Sequence, residues 1–287
     1  MVAQVNVPLT SAELARELGL KHVGADLMIR SVCSVDSIQE NALFFSKAPL
    51  VASLAVAATA ILTSGENLGA GAAILSSNPR LDFARALTCI KDRGGFNAAR
   101  EGAVVHPTAR VGAGVVLGCG VTVGAWTIVG SNVVIGDRVS IGERCVIKSG
   151  AVIGEDGFGF ERDELGRPVR LVHLGSVVIG NDVEIGSLCT VCRGTIDDTR
   201  IEDFAKIDDH VHVAHNVSVG RGAMVTACVE LSGGVEIGEG VWVGPNSSVI
   251  QKVRIGAGAI VGIAANVIRD VPEGVTVAGN PAKFLGG

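Results

Sequence analysis

The chain has 287 residues, no tyrosine, 39 glycines, 3% aromatics and a formal net charge of −5. That length allows two domains. The lack of a Lys/Arg run argues against a nucleic-acid partner, and no apolar stretch reaches the ~18 residues of a membrane-spanning helix. Seven cysteines, spread singly, fit reduced thiols better than a disulfide framework. The first residues lack a basic segment followed by an apolar one, so no signal peptide is read and the expected location is cytoplasmic.

Residues 1–100 read as a small α/β domain. Thr10-Ser-Ala-Glu13 is a capping box opening a short helix with Leu14 and Leu18 on one face. Strand-like runs follow at Met28–Val35 and Ala42–Ser46. An Ala-rich stretch, Val51–Ala57, reads as helical, with further strands near Ala60–Thr63 and Ala72–Ser76. Asn78-Pro79 starts a second helix, with Pro at an early helical position and Leu81, Ala84 and Leu87 spaced for one face. Residues 93–104 read as a linker.

From Val105 the texture changes. Every sixth residue from Val105 to Ile153 is aliphatic, and seven of these nine are followed directly by Gly. The pattern returns at Ile179, Ile185 and Val191, and runs from Ile201 through Val213 and Val225 to Val267. A period of six fits neither a helix nor an ordinary strand. It fits a solenoid of short flat strands, each sending one aliphatic side chain into a common core. Three strands close a triangular coil of about 18 residues, giving about eight coils. The glycines are expected to supply the permissive dihedrals of the corners. The reading is mainly β: a parallel β-helix over 101–271, an inserted loop at 155–178 and a tail at 272–287. The insertion carries Asp156-Gly-Phe-Gly-Phe160, and Phe158 and Phe160 are expected either to wall a site or to pin the loop to the coil.

Three of the six histidines, His210, His212 and His215, fall in one coil. The phase of the repeat puts Val213 inside, so His212 and His215 do not point to the core. Three readings stand: a zinc site at His210 and His212, a solvated surface, or His215 as a general base oriented by a carboxylate, with Asp208 the candidate. Cys189-x-x-Cys192 has no second ligand pair at metal spacing and reads as ordinary coil.

Several elements in this order resemble the UDP-3-O-(3-hydroxyacyl)glucosamine N-acyltransferases of lipid A and lipopolysaccharide biosynthesis. They are Leu43-Phe-Phe45, Asp156-Gly-Phe-Gly-Phe160, Arg193-Gly-Thr-Ile-Asp-Asp-Thr199 and Ala214-His-Asn216. The resemblance implies a left-handed β-helix, a cytoplasmic homotrimer with sites between subunits, and no bound cofactor or metal. The cosubstrate it implies is an acyl thioester on acyl carrier protein or CoA, and the acceptor a UDP-linked amino sugar. It assigns His215 as base, Asp208 as its carboxylate and Gly233 as the oxyanion donor, and it places Phe45 on the uracil. Phe158, Phe160, Asp209, His212 and Lys252 fall at substrate-binding positions. Departures are Val51 for the second ring on uracil, Lys252 for a second histidine, Asp209 and His212 for Asn and Gln, and Cys192 before Arg193. The end, Ile260 to Lys283, is similar to acetyl-CoA-dependent sugar acetyltransferases, which implies a CoA-dependent N-acetyltransferase for surface polysaccharide as the alternative. A non-catalytic solenoid binding module and a metal-dependent carbonic anhydrase-like enzyme are readings of other classes.

Overall fold

A computed structural model describes residues 3–48, 50, 54–62, 68–97 and 101–284. Val51 lies outside them. The chain forms two compact units. One comprises Met1–Ala98, Gly159–Gly175 and Thr195–Asp197; the other comprises Ala99–Phe158, Ser176–Gly194 and Asp198–Gly287. Most of the insertion thus clusters with the N-terminal residues.

The first unit is an α/β sheet built from β1 (Ala3–Thr10), α1 (Ser11–Leu18), β2 (Lys21–Gly24), β3 (Met28–Val32), β4 (Ala42–Phe45), β5 (Thr59–Leu62), β6 (Ala72–Leu75) and α2 (Pro79–Arg93). The sheet order is β1-β3-β4-β5-β6-β2. Strands β3 to β6 are parallel, and β1 and β2 run antiparallel at the two edges. Side chains alternate along each strand. Leu43, Ile61 and Ile74 therefore join Phe83 and Leu87 of α2 in one core, while Ala42, Phe44, Ala60 and Leu62 form a second. The expected capping box is formed at both ends: Thr10 Oγ1 accepts from the Glu13 N–H, and Glu13 accepts from the Thr10 N–H at 2.8 Å. Residues 54–57 are irregular rather than helical; their apolar side chains are drawn into packing under the sheet, with Leu54 buried there.

Within this unit the inserted segment is a hairpin of Phe160–Arg162 and Pro168–Arg170. It is no plain loop. Leu171 and Leu174 bury themselves in the core that holds Phe83. Two ion pairs fasten it to α2: Arg80–Glu161 at 2.5 Å and Arg85–Glu164 at 2.6 Å.

The second unit is the parallel β-helix that the six-residue period predicts. Its rungs stack as three flat faces, here face 1 from Val104–Val105, face 2 from Arg110–Val111 and face 3 from Val116–Leu117. Faces 1 and 3 hold 8 strands each, and face 2 holds 10 counting the final hairpin strand. The inward residues, Ile135, Ile207, Val213, Val225 and Leu231 among them, are essentially fully buried. Burying each stabilises the coil by roughly 1.5–3 kcal/mol. At the end, Thr276–Ala278 continues face 2 and pairs antiparallel with Lys283–Phe284.

The glycines that follow the aliphatics do a different job from the one expected. Left-handed dihedrals fall two residues later, on Trp126, Asn132, Arg138, His210, Asn216 and Lys252 as well as on glycines. At Gly112, Gly220 and Gly238, which follow aliphatics directly, an added Cβ would lie 2.6–2.7 Å from backbone of the next coil. These glycines are required by the close stacking of one coil on another, about 4.8 Å apart.

Candidate active site

The corner between face 3 and face 1 gathers most of the candidate residues. His215 follows the rung His212–Val213, Gly233 follows Glu230–Leu231, and Lys252 follows Ser248–Val249. These rungs pair in register, so the three residues belong to consecutive coils at one corner. Backbone bonds tie the corner together: the Gly234 N–H donates to His215 O at 2.9 Å, and the Lys252 N–H donates to Gly233 O at 3.1 Å.

The His215 ring packs against Gly233. A Cβ on that glycine would stand 2.7 Å from His215 Cε1 and 2.8 Å from Nε2. No side chain larger than hydrogen leaves room for the imidazole there. His215 Nδ1 is 3.1 Å from Asn216 Oδ1. An amide oxygen only accepts, so with that amide orientation Nδ1 carries a proton. Asn216 is itself fixed. It holds a left-handed conformation (φ 60°) and its N–H donates to the buried Thr199 Oγ1 at 2.9 Å. Sequence reasoning had given Asn216 no role. The signal was its place at a left-handed corner, where Gly or Asn is favoured.

Gly233 is the first of two turn residues. At some corners the N–H at this step reaches an oxygen of the next coil, while at others, such as those of Arg221, Glu239 and Ala257, it donates to no group among the described residues. Cys119 donates to Asp137 Oδ1 at 2.9 Å, Glu143 to Asn181 Oδ1 at 2.9 Å and Ser187 to Asp209 Oδ1 at 2.7 Å. The Gly233 N–H donates to no group among the described residues. A donor of this kind, beside an imidazole, suits an oxygen that gains charge during reaction.

The other expected site residues lie elsewhere. Asp208 stands at the opposite corner of face 3, before the rung His212–Val213, and accepts the Asp209 N–H at 2.8 Å. A whole face separates it from His215, on the order of 15–20 Å by strand rise. One chain therefore does not bring these two together. Asp209 caps the Ser187 corner and lies 3.8 Å from Lys148. His212 faces outward on face 3, its Nδ1 2.7 Å from Thr190 Oγ1.

In the first unit, the Phe45 ring packs on Phe83 with centroids 4.8 Å apart, and Arg170 lies over the Phe160 ring at 4.6 Å. Phe158 is strongly exposed in the second unit. Burial raises the thiol pKa of Cys189 and Cys192. Among the described residues no three His, Cys, Asp or Glu side chains converge at metal-ligand spacing. None of the described helices is long and apolar enough to cross a membrane. Near the end of the coil a cavity of about 290 Å³ is lined by Ile268, Arg269, Lys283 and Phe284. A hollow of about 600 Å³ runs along face 1 toward face 2 between Glu202, Glu236, Asp270 and Glu273, away from the His215 corner. Arg254 there is paired with Glu236 at 3.1 Å.

No protein-family model matches the chain. Among curated proteins, it is 43% identical over 186 residues to the UDP-3-O-acylglucosamine N-acyltransferase of Coxiella burnetii, covering 56% of this chain and 54% of that protein. It is 47% identical over 140 residues to UDP-3-O-acylglucosamine N-acyltransferase 2 of Legionella pneumophila, covering 49% and 40%. It is 52% identical over 88 residues to the enzyme of that name from Hahella chejuensis, covering 31% and 25%. The chain thus spans about half the length, or less, of the curated relatives it matches. Among solved structures, UDP-N-acetylglucosamine acyltransferase of Francisella novicida superposes with a TM-score of 0.60 at 28% identity, over 66% of this chain and 68% of that one. The coil is accordingly a left-handed parallel β-helix of the acyltransferase type, and its sequence is similar to the UDP-3-O-acylglucosamine N-acyltransferases.

Proposed function

We propose that this chain transfers an acyl group from a thioester carrier to the amino group of a UDP-linked amino sugar. The observation that carries the reading is the His215 ring seated on Gly233, whose N–H is uncommitted. The names of the curated relatives support the same substrate class.

The step follows from those two groups. His215 Nε2 takes a proton from the amine as its nitrogen attacks the thioester carbon. The new C–N bond pushes the carbonyl electrons onto oxygen, and the Gly233 N–H receives the oxyanion. The tetrahedral centre collapses with loss of the C–S bond, and the thiolate takes the proton from the imidazolium. A positioned base contributes about 10²–10⁴-fold, and one oxyanion donor about 10²–10³-fold. Asp208 of a neighbouring copy in a homotrimer supplies negative charge that favours the imidazolium of His215, since within one chain the two lie a face apart. Phe45 offers a ring to uracil, and Lys252 a cation at the reaction corner.

The donor is an acyl carrier protein and the product a lipid A precursor. The cavity at Arg269 and Lys283 favours a second reading, a CoA thioester and an unacylated amino sugar. The test is a donor panel of 3-hydroxyacyl carrier protein, long acyl-CoA and acetyl-CoA. Each is offered against UDP-3-O-acylglucosamine and unacylated UDP-amino sugars, with products read by mass. Transfer from the carrier protein to the acylated sugar is expected. Transfer only from CoA to an unacylated sugar selects the second reading, and no transfer by folded protein refutes both.

A further inference from the structure

Face 3 beside the His215 corner is a polar wall. The register stacks Thr190, His212, Glu230 and Ser248 on consecutive rungs, all pointing outward. Glu230 stands out among them. Its carboxylate takes the Ser232 hydroxyl at 2.9 and 3.2 Å. Ser232 directly precedes Gly233, so this bond draws the carboxylate from mid-face toward the corner where the imidazole lies. Glu230 is half-buried, and no Lys or Arg among the described residues lies within ion-pair distance of it. Its rung neighbour His212 has Nδ1 engaged by Thr190.

A carboxylate held by one hydroxyl keeps acceptor positions open to a cation. The corner is also where the acceptor must present its nitrogen. Sugar amines are largely protonated near neutral pH and lose one proton to solvent before the nitrogen attacks, whereas a sugar hydroxyl in the same place is neutral. Glu230 is the rung partner of His212, and the serine that holds its carboxylate directly precedes the glycine under the His215 ring, so the carboxylate borders the corner where the acceptor would sit.

We propose that Glu230, held toward the corner by Ser232, is the acceptor-binding residue that receives the amino nitrogen and selects an amine over a hydroxyl. This rests on the reading of the corner as an amine-acylating site. A hydroxyl and an ammonium can both donate to the carboxylate, but only the ammonium adds its own positive charge to the bond, so discrimination of roughly tenfold is expected.

The test is calorimetric titration of the full chain with UDP-glucosamine and UDP-glucose, which differ only in nitrogen or oxygen at one carbon. Wild type should bind the amine about tenfold more tightly. Glu230→Gln should bring the two affinities together while leaving that for UDP-glucose unchanged, and Ser232→Ala should narrow the gap part of the way. Equal affinities in wild type, or a Glu230→Gln loss of the same size for both ligands, would overturn the assignment. Wild-type turnover with a thioester is measured alongside. Transfer without discrimination leaves the proposed function standing and removes this inference; discrimination without transfer does the reverse.

Discussion

Replacing Gly233 by Ala isolates the contact on which the site depends. The new methyl would stand 2.7 Å from His215 Cε1 and 2.8 Å from Nε2. Carbon atoms sit comfortably at about 3.5–4.0 Å, so the ring must retreat by about 1 Å. A misplacement of that size at a reacting group costs on the order of 10²-fold in rate. Stability should not fall with it. Gly233 does not hold a left-handed conformation, so Ala is compatible with its backbone and stiffens the unfolded chain by about 0.4–1 kcal/mol. Gly234→Ala is the control. Its φ is +70° and its Cβ would meet only Lys252 Cγ at 3.6 Å. That variant should lose about 1–2 kcal/mol of stability and keep most of its activity. The assay is kcat/KM for acyl transfer beside the thermal midpoint of each variant. Gly233→Ala within threefold of wild-type kcat/KM, with an unchanged midpoint, would show that the ring does not act from this position.

Gly220→Ala should destabilise by about 1–3 kcal/mol, because its Cβ would fall 2.7–2.8 Å from the backbone of Gly238 and Glu239; an unchanged melting curve would contradict the stacking role of these glycines. The Ala12 N–H, with help from neighbouring hydroxyls, holds the Asp26 carboxyl below its ordinary pKa. A lowered carboxyl adds stability above the unfolded pKa and loses it as pH falls through the folded one. Asp26→Asn should therefore be the less stable protein at pH 7 by urea melt, with the difference vanishing in acid. Asp208→Asn and His215→Ala should each be inactive alone; refolded together at equal amounts, they should recover about a quarter of the sites if a neighbouring copy supplies the carboxylate. No recovery from mixed oligomers would show that Asp208 does not act on the His215 of a neighbouring copy.

The β-helix was legible because its interior is narrow. Each rung admits one aliphatic side chain inward, and that constraint repeats every six residues without exception over most of the coil. The role of the glycines was not legible, since sequence cannot separate a residue that must turn from one that must let a neighbouring coil approach. In the first unit, β3 to β6 and both helices were visible through buried runs and caps. The edge strand β2, Lys21–Gly24, was missed because it is mostly exposed and pairs on one side only. The hairpin Phe160–Arg170 was read as a loop. Its pattern is short and polar, and its burial depends on Leu171 and Leu174 finding α2, a long-range event with no local signature.

The site was legible to the extent that its residues obey the period. In an unbroken run of the coil, residues 18 apart stack on one another, as the hydrogen bond from Cys119 to Asp137 shows. His215 and Gly233 have that separation, so their contact is written in the sequence once the coil is recognised. Glu230 and Ser232 gain their place by the same rule, one rung above His212 and beside Gly233. Asp208 breaks it. It precedes His215 by seven residues, just over one side of the triangle, so the two are carried to opposite corners of face 3 and no repacking of side chains closes that distance. Under the proposed homotrimer the carboxylate would come from a second copy, its face 2–face 3 corner meeting this chain's face 3–face 1 corner, which is what the mixed-oligomer experiment tests.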